Sequence, residues 1–422
     1  MRMRVPVFGD RQMSVTASLI PVATGFAMTP ILTRTLGTTQ FGLWATLWAL
    51  LGSVQLVDLG VASSLLRFMS VAQSKEGRFG SKKYLISAWL YYAVIAVVCS
   101  LIALPFHQEI YNFVASRTPS PVPTIVLFFC LLAFLPIQNT AAIALESVGD
   151  FKHTAAVLLC SEFIYALVIV VGAKSSNFSV ATVLMAQMCQ VLMVFVYVTV
   201  HLRMHRENRL LTRQEFREFG RFSSRIWLIN LSSGAVLQLP IIILAMMITP
   251  SEVGIYGLAA MIALALRNFP LMSLAPVLRN LTGRVEDIVS RSQTADKTWR
   301  KTLMLYTVFG FVGILVGVPI LGGPGYTRAI GPCVLLFIGY IIQLFGALAT
   351  ITSRQLELTK LEWRATAFGA AIHLILLWFA ISIMGLYGPG AVLIISQSVT
   401  LFFVRRQFRS FSSRPMRVSE VL

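Results

Sequence analysis

Residues 35–44, TLGTTQFGLW, form a short polar, glycine-bearing break between two long apolar runs, and the same outline returns at 248–257 as ITPSEVGIYG. A shift of 212 residues sets Gly42 on Gly254, Trp44 on Tyr256, Leu59 on Leu271 and Arg67 on Arg279. Each copy reads the same way: an apolar run, a tight break, a long apolar run, then a basic segment. Identity between the copies is low, but the register is kept, which is the mark of an internal repeat.

The runs around these breaks decide the environment. With 56% hydrophobic and 12% charged residues and a mean hydropathy of +0.77, the chain is far more apolar than a soluble domain. About 20 apolar residues cross the roughly 30 Å of bilayer hydrocarbon. Twelve such runs are expected, at 13–35, 42–66, 84–105, 122–147, 153–173, 178–200, 222–248, 253–276, 302–321, 331–352, 365–384 and 387–404. Backbone amides in hydrocarbon must be satisfied within their own segment, and continuous rather than alternating apolarity selects helices. The expected fold is therefore an all-α polytopic membrane protein. The opening MRMRVPVFGDRQ looks like the basic region of a signal peptide, but the run behind it is too long and lacks a small-residue cleavage site, so it reads as an uncleaved first span. The five cysteines lie inside apolar runs without CxxC spacing and read as packing residues; no metal site is expected.

The net charge of +18 is explained by position. If the N-terminus is cytoplasmic, thirty Lys and Arg fall on cytoplasmic segments and four on the other side, a strong positive-inside bias that puts both termini in the cytoplasm. Most of these charges need do no more than fix topology and meet anionic lipid heads. Nucleic acid is excluded as a partner, because no loop is large enough to fold into a basic domain. The basic stretch HLRMHRENRLLTRQEFREFGRFSSR divides six spans from six, giving an N-terminal lobe at 1–200, a cytoplasmic linker at 201–225 and a C-terminal lobe with a basic tail at 226–422. Six is even, so the two lobes enter the membrane with the same orientation, and two such bundles around a central cavity can rock to open it alternately to each side.

Residues 32–68, LTRTLGTTQFGLWATLWALLGSVQLVDLGVASSLLRF, carry a resemblance. Arg34, Leu36-Gly37, Phe41-Gly42-Leu43-Trp44, Asp58-Leu59-Gly60 and Arg67 follow the pattern that opens the Wzx-type O-antigen and polysaccharide flippases of the multidrug/oligosaccharidyl-lipid/polysaccharide (MOP) exporter superfamily. The close match covers these residues, and the size and six-plus-six layout extend it loosely to the whole chain. The resemblance implies a MATE/MOP-like fold and transfer of undecaprenyl-diphosphate-linked oligosaccharide, an O-antigen or exopolysaccharide repeat unit, from the cytoplasmic to the periplasmic leaflet of the bacterial inner membrane. It also implies membrane lipids as surroundings and a polysaccharide polymerase and chain-length regulator as partners.

Ionisable residues inside spans cost about 2.5–3.5 kcal/mol each on insertion scales and are functional candidates by default. Arg267 lies well inside the eighth span and Asp58 at similar depth in the second. By the resemblance these spans line the cavity, so the two could pair across it as a gate; Asp58 could equally pair with Arg67 or cap a kink near Gly60. A guanidinium bonds two phosphate oxygens at once and stays charged. Arg34, Arg67 and Arg267 are thus the candidates for the diphosphate, with Asp58, Gln55 and Asn268 completing the substrate set. Glu162, His373 and Asp58 are the candidates for ion coupling, with proton and sodium both open and a structural role the alternative for His373. Trp44, Trp48 and Tyr256 suit either a glycan or an interfacial belt.

No P-loop, HExxH or nucleophile elbow is present, so neither ATP chemistry of that kind, a cofactor nor catalysis is expected, and the chain reads as a transporter rather than an enzyme. Moving a dianion outward against an inside-negative potential is downhill by about 2.3 kcal/mol per charge per 100 mV. Three rival readings fit less well. A MATE-like drug or cation antiporter would be expected to carry an acidic residue in its first span, which 13–35 lacks. A membrane glycan polymerase or ligase needs a large outer loop, and 106–121 offers only His107, Glu109 and Arg117. The lipid II flippase branch would be expected to have fourteen spans. Two further features read as minor: GILVG at 313–317 as helix packing and GGPGYTRAIGP at 322–332 as a loop.

Overall fold

A computed structural model describes residues 8–57, 60–147, 150–202, 211–274, 285–355 and 359–412. Among these the chain is helical: α1 Phe8–Val57, α2 Val61–Ala103, α3 His107–Ala115, α4 Pro121–Ser147, α5 Phe151–Gly172, α6 Val180–His201, α7 Arg213–Met247, α8 Pro250–Ser273, α9 Val285–Gly322, α10 Ile330–Gln355, α11 Thr359–Met384 and α12 Gly388–Ser412. Nine stretches among the described residues are long and apolar enough to cross a membrane, the last, Glu362–Arg406, taking in both α11 and α12. Long apolar side chains stand outward on these helices, as Leu101 and Ile102 do on α2 and Val308, Phe309 and Val312 do on α9. Water would not tolerate faces of that extent. The protein is an all-α, multi-pass membrane protein.

The chain divides into two compact units, 1–234 and 235–422, and the division falls within α7. Residues 213–225, expected as linker, are the helical start of α7. Thr212 opens that helix through a capping box: its amide and hydroxyl both donate to Glu215 Oε2, at 2.9 and 3.0 Å, and the Glu215 amide returns a bond to its hydroxyl. Glu215 Oε1 takes Lys83 Nζ at 2.6 Å, tying α2 to α7. Behind this pair, Phe68, Tyr84, Phe219 and Phe222 make an aromatic cluster, and Arg67 lies over the Phe222 ring at 4.4 Å.

Both copies of the repeated break are real, and they are built differently. In the first, α1 runs through TLGTTQFGLW with one non-helical residue, Gly37, at φ 66° and ψ 178°. That backbone region is essentially closed to residues with a Cβ. In the second, the residue aligned with Gly37 is Thr249, in the short connection between α7 and α8. There Glu252, the residue aligned with Gln40, caps the start of α8 by accepting from the Thr249 amide at 3.4 Å and from its hydroxyl at 3.0 Å. Glycine conformation makes the first turn and side-chain capping the second.

Three expectations are corrected. The loop expected at 106–121 contains α3, with Arg117 stacked on Phe113 at 3.6 Å. GGPGYTRAIGP holds a 3-10 helix, Pro324–Ala329, instead of an open loop. The GILVG glycines pack against no neighbour among the described residues: a Cβ on Gly313 or Gly317 would meet none of their atoms within 4 Å, whereas one on Gly310 would enter the space of the buried Phe337 ring. Close approach of α9 to α10 thus runs through Gly310.

Candidate functional site

In the second unit the site grows from a defect in α8. Pro270 has no amide proton, so the carbonyl of Leu266, four residues earlier, loses its helical partner. Tyr306 on α9 replaces it, its hydroxyl donating to Leu266 O at 2.7 Å. The next residue is Arg267, about 26 Å along α8 from Pro250 at 1.5 Å per residue. Its Nε donates to Gln343 Oε1 on α10 at 2.7 Å, its guanidinium carbon lies 5.5 Å from the Tyr340 ring centre, and Nη1 is 3.5 Å from Asn268 Oδ1. Tyr340 and Gln343 are three residues apart on α10 and so share a face. Tyr256, expected as a cavity or belt aromatic, is instead buried.

The guanidinium is therefore oriented by an amide oxygen and an aromatic face, and no carboxylate pairs with it among the described residues. Such a group keeps its full positive charge and presents further donors in a fixed plane.

The first unit holds a matching acidic arrangement. Glu162, on α5 and 9% exposed, accepts from Gln190 Nε2 on α6 at 2.7 Å and from the Thr24 hydroxyl on α1. Gln187 Nε2 in turn donates to Gln190 Oε1 at 2.7 Å. Three helices thus meet on one carboxyl group through amide and hydroxyl groups alone. His373 of α11, 1% exposed, faces α12: Ser396 Oγ donates to Leu393 O, so its 3.2 Å contact with His373 Nδ1 has the ring nitrogen donating. Nε2 has no partner among the described residues.

The remaining candidates are placed as follows. Arg267 and Asn268 are brought together, with the bond between them at the long limit. Arg34 is exposed on α1 and Arg67 exposed on α2. Gln55 lies on the last turns of α1. Asp58, with its expected pairing to Arg267 or Arg67, lies outside the described residues. Gly60, two residues on, is at φ 75° and starts α2, and the same turn brings it against the α7 backbone at Ser223 and Trp227. The reading from sequence missed Tyr306, Tyr340 and the Thr24–Gln190 bonds to Glu162. The spacing of Tyr340 and Gln343 on one helix face was the available signal.

The sequence model of the family described as "Polysaccharide biosynthesis protein" matches residues 13–279. No curated protein matches the chain in sequence. Among solved structures, the chain is similar to the lipid II flippase MurJ in an inward closed conformation, with a TM-score of 0.71 at 13% identity over 97% of this chain and 89% of that one. It is similar to a multidrug resistance MATE family transporter of the MOP superfamily, with a TM-score of 0.70 at 12% identity over 96% and 100%. A MOP superfamily transporter from Pyrococcus furiosus Vc1 gives 0.60 at 11% identity over 95% of each chain. At these identities the likeness establishes a shared fold.

Proposed function

Because the chain belongs to the polysaccharide biosynthesis protein family, over residues 13–279, we propose that it is a flippase moving undecaprenyl-diphosphate-linked oligosaccharide from the cytoplasmic to the periplasmic leaflet by alternating access. The observation that carries the reading is Arg267, inside α8, which among the described residues is met by Gln343 and Tyr340 and by no acid. A diphosphate would supply a counter-charge that none of the described residues provides, and a planar fork fixed at Nε can donate to its oxygens through the remaining nitrogens. Glycan hydroxyls would find donors and acceptors in the side-chain amides.

Glu162, whose carboxyl group accepts from Thr24 and Gln190 and meets no cationic side chain among the described residues, is the candidate for a coupling proton or sodium ion. The protein sits in the bacterial cytoplasmic membrane with both termini inside, as the thirty-to-four charge bias supports. It hands its product to a polymerase with its chain-length regulator.

The test is surface glycan in a strain lacking its own O-unit flippase and supplied with the cognate glycan, comparing intact protein, Arg267→Ala and Arg267→Lys at matched membrane levels. Surface glycan restored by the intact protein, lost with alanine and reduced with lysine is the expected result. Restoration indifferent to both substitutions removes Arg267 from the mechanism. No restoration together with raised resistance to cationic drugs supports a drug exporter instead.

A further inference from the structure

Away from Glu162 and Arg267, the open end of the α5–α6 hairpin, opposite the turn at 173–179, gathers three metal-ligating side chains. Asp150 precedes α5, His153 lies on its first turn, and His201, 51 residues beyond Asp150, ends α6. One Asp150 oxygen is 2.5 Å from His153 Nδ1 and the other 2.9 Å from His201 Nε2. The two imidazole rings are 4.3 Å apart between centres, and one ligand atom from each residue can be chosen so that all three lie within 4.8 Å of one another.

The cluster is supported from behind. The Asp150 amide donates to Leu145 O of α4, and its carbonyl accepts from both the amide and the hydroxyl of Thr154. The backbone that carries the carboxylate is thus fixed on both sides. Tyr197, one turn before His201, stacks on its ring at 5.6 Å and 10°. Ligands whose orientation is fixed by such outer contacts are what a metal site requires. A helix-capping aspartate meeting a histidine three residues on is a local event; a second histidine delivered from another helix to the other oxygen is not.

We propose that Asp150, His153 and His201 bind one first-row divalent transition ion of the zinc class, clamping the start of α5 to the end of α6. Two neutral imidazoles and a carboxylate are the donors such ions prefer, and three protein ligands leave a fourth position for water. Tetrahedral bonds of about 2.0–2.1 Å set ligand atoms roughly 3.4 Å apart. The two Asp150–imidazole separations therefore widen by less than about 1 Å, and the longest separation in the triad, within 4.8 Å, closes by up to roughly 1.4 Å, as the ion replaces the two N–H···O bonds, each imidazole carrying its proton on the opposite nitrogen.

The experiment uses full-length protein purified in detergent through a tag without histidine, freed of metal, and titrated with Zn2+ and with Co2+. Expected are one ion per chain, visible Co2+ absorption of tetrahedral intensity, and a Zn2+-dependent rise in unfolding temperature. Loss of an outer-shell partner commonly costs metal sites 10–100-fold in affinity, so removing a ligand by Asp150→Asn or His201→Ala is expected to cost at least about 100-fold. His153 is exposed, so His153→Gln keeps the test available if either of the others fails to fold. Absent stoichiometric binding in the intact protein, or binding and stabilisation unchanged in His153→Gln and His201→Ala, overturns the site. An adventitious surface interaction would give that second result.

Discussion

Gly37 offers a perturbation whose cost can be worked out from the backbone alone. At φ 66° and ψ 178° it occupies a region in which a side chain costs of order 1–3 kcal/mol, and a Cβ there would touch nothing within 4 Å. Gly37→Ala therefore measures pure conformational strain at the repeated turn. Gly60→Ala adds a second component. Its φ of 75° carries about 1–2 kcal/mol, and its Cβ would press into the Ser223 carbonyl and lie 3.0 Å from the Trp227 amide, both backbone atoms that cannot rotate away. Gly220 is the control. It is exposed inside α7 with open space around it, so alanine there should stabilise by roughly 0.5–1 kcal/mol. All three lie in the unit spanning Met1–Gly234. For chains of about 150–250 residues each kcal/mol moves the unfolding temperature by roughly 2–4 °C. Thermal unfolding in detergent should then rank Gly60→Ala lowest, Gly37→Ala lower than the parent by roughly 2–12 °C, and Gly220→Ala slightly above it. If Gly37→Ala unfolds with the parent while Gly220→Ala falls, the account of the turn is wrong.

Tyr306→Phe removes the hydroxyl that serves the carbonyl freed by Pro270, leaving a half-buried acceptor within an apolar helix unmet; a loss of about 1–3 kcal/mol in unfolding free energy is expected. Gly310→Ala forces a methyl group into Phe337 and should destabilise by about 1–3 kcal/mol, while Gly317→Ala, with nothing near it, should not; parallel melts decide between α9 packing at Gly310 and at the GILVG glycines. The Lys83 ammonium holds the Glu215 carboxyl below its ordinary range despite some burial. A depressed carboxyl stabilises the fold above its unfolded value of about 4.3 and loses that contribution as pH falls through the folded value. The pair is partly exposed, so the amount is under about 1 kcal/mol. Lys83→Met should show a smaller drop in unfolding temperature between pH 7 and pH 4 than the parent does.

What could be read from the sequence was whatever depends on one segment at a time. Apolar runs gave the helices, and the two breaks fell where a glycine with positive φ and a Thr249–Glu252 cap stop them. Arg267 stood out because a charge in an apolar run is costly wherever the run packs. The partners were not legible. Gln343 is 76 residues from Arg267 and Gln190 is 28 from Glu162, and which polar residue meets which depends on the rotation of each helix about its axis. Nothing in a run of 20 apolar residues fixes that rotation. The same limit hid the meeting of His201 with Asp150 and His153. The error over GILVG has the opposite cause: a spacing that suits helix packing was present, but the helix turned a different glycine toward its neighbour.

The two charges within apolar helices, Glu162 buried and Arg267 half-buried, share a chemical solution that bears directly on function. Glu162 is met by an amide nitrogen and Arg267 by an amide oxygen, and a glutamine can serve either because it carries both a donor and an acceptor. Among the described residues neither group meets an opposite charge, which would have held it more strongly and also cancelled it. For Arg267 the distinction can be tested by one atom's exchange. Gln343→Glu keeps the side-chain length and the acceptor 2.7 Å from Nε, but places a negative charge beside the guanidinium. At an effective dielectric constant near 20 and 4 Å, an opposite unit charge is worth about 4 kcal/mol, which an incoming phosphate would have to overcome. By the same conversion of 1.36 kcal/mol per decade, apparent affinity for an anionic headgroup falls by up to about a thousandfold. The variant should therefore fold at least as well as the parent and yet restore little surface glycan. Gln343→Met, which drops the bond but leaves the charge, should restore more. Equal restoration by the parent and Gln343→Glu would mean that the charge on Arg267 is structural, and that the headgroup is bound elsewhere.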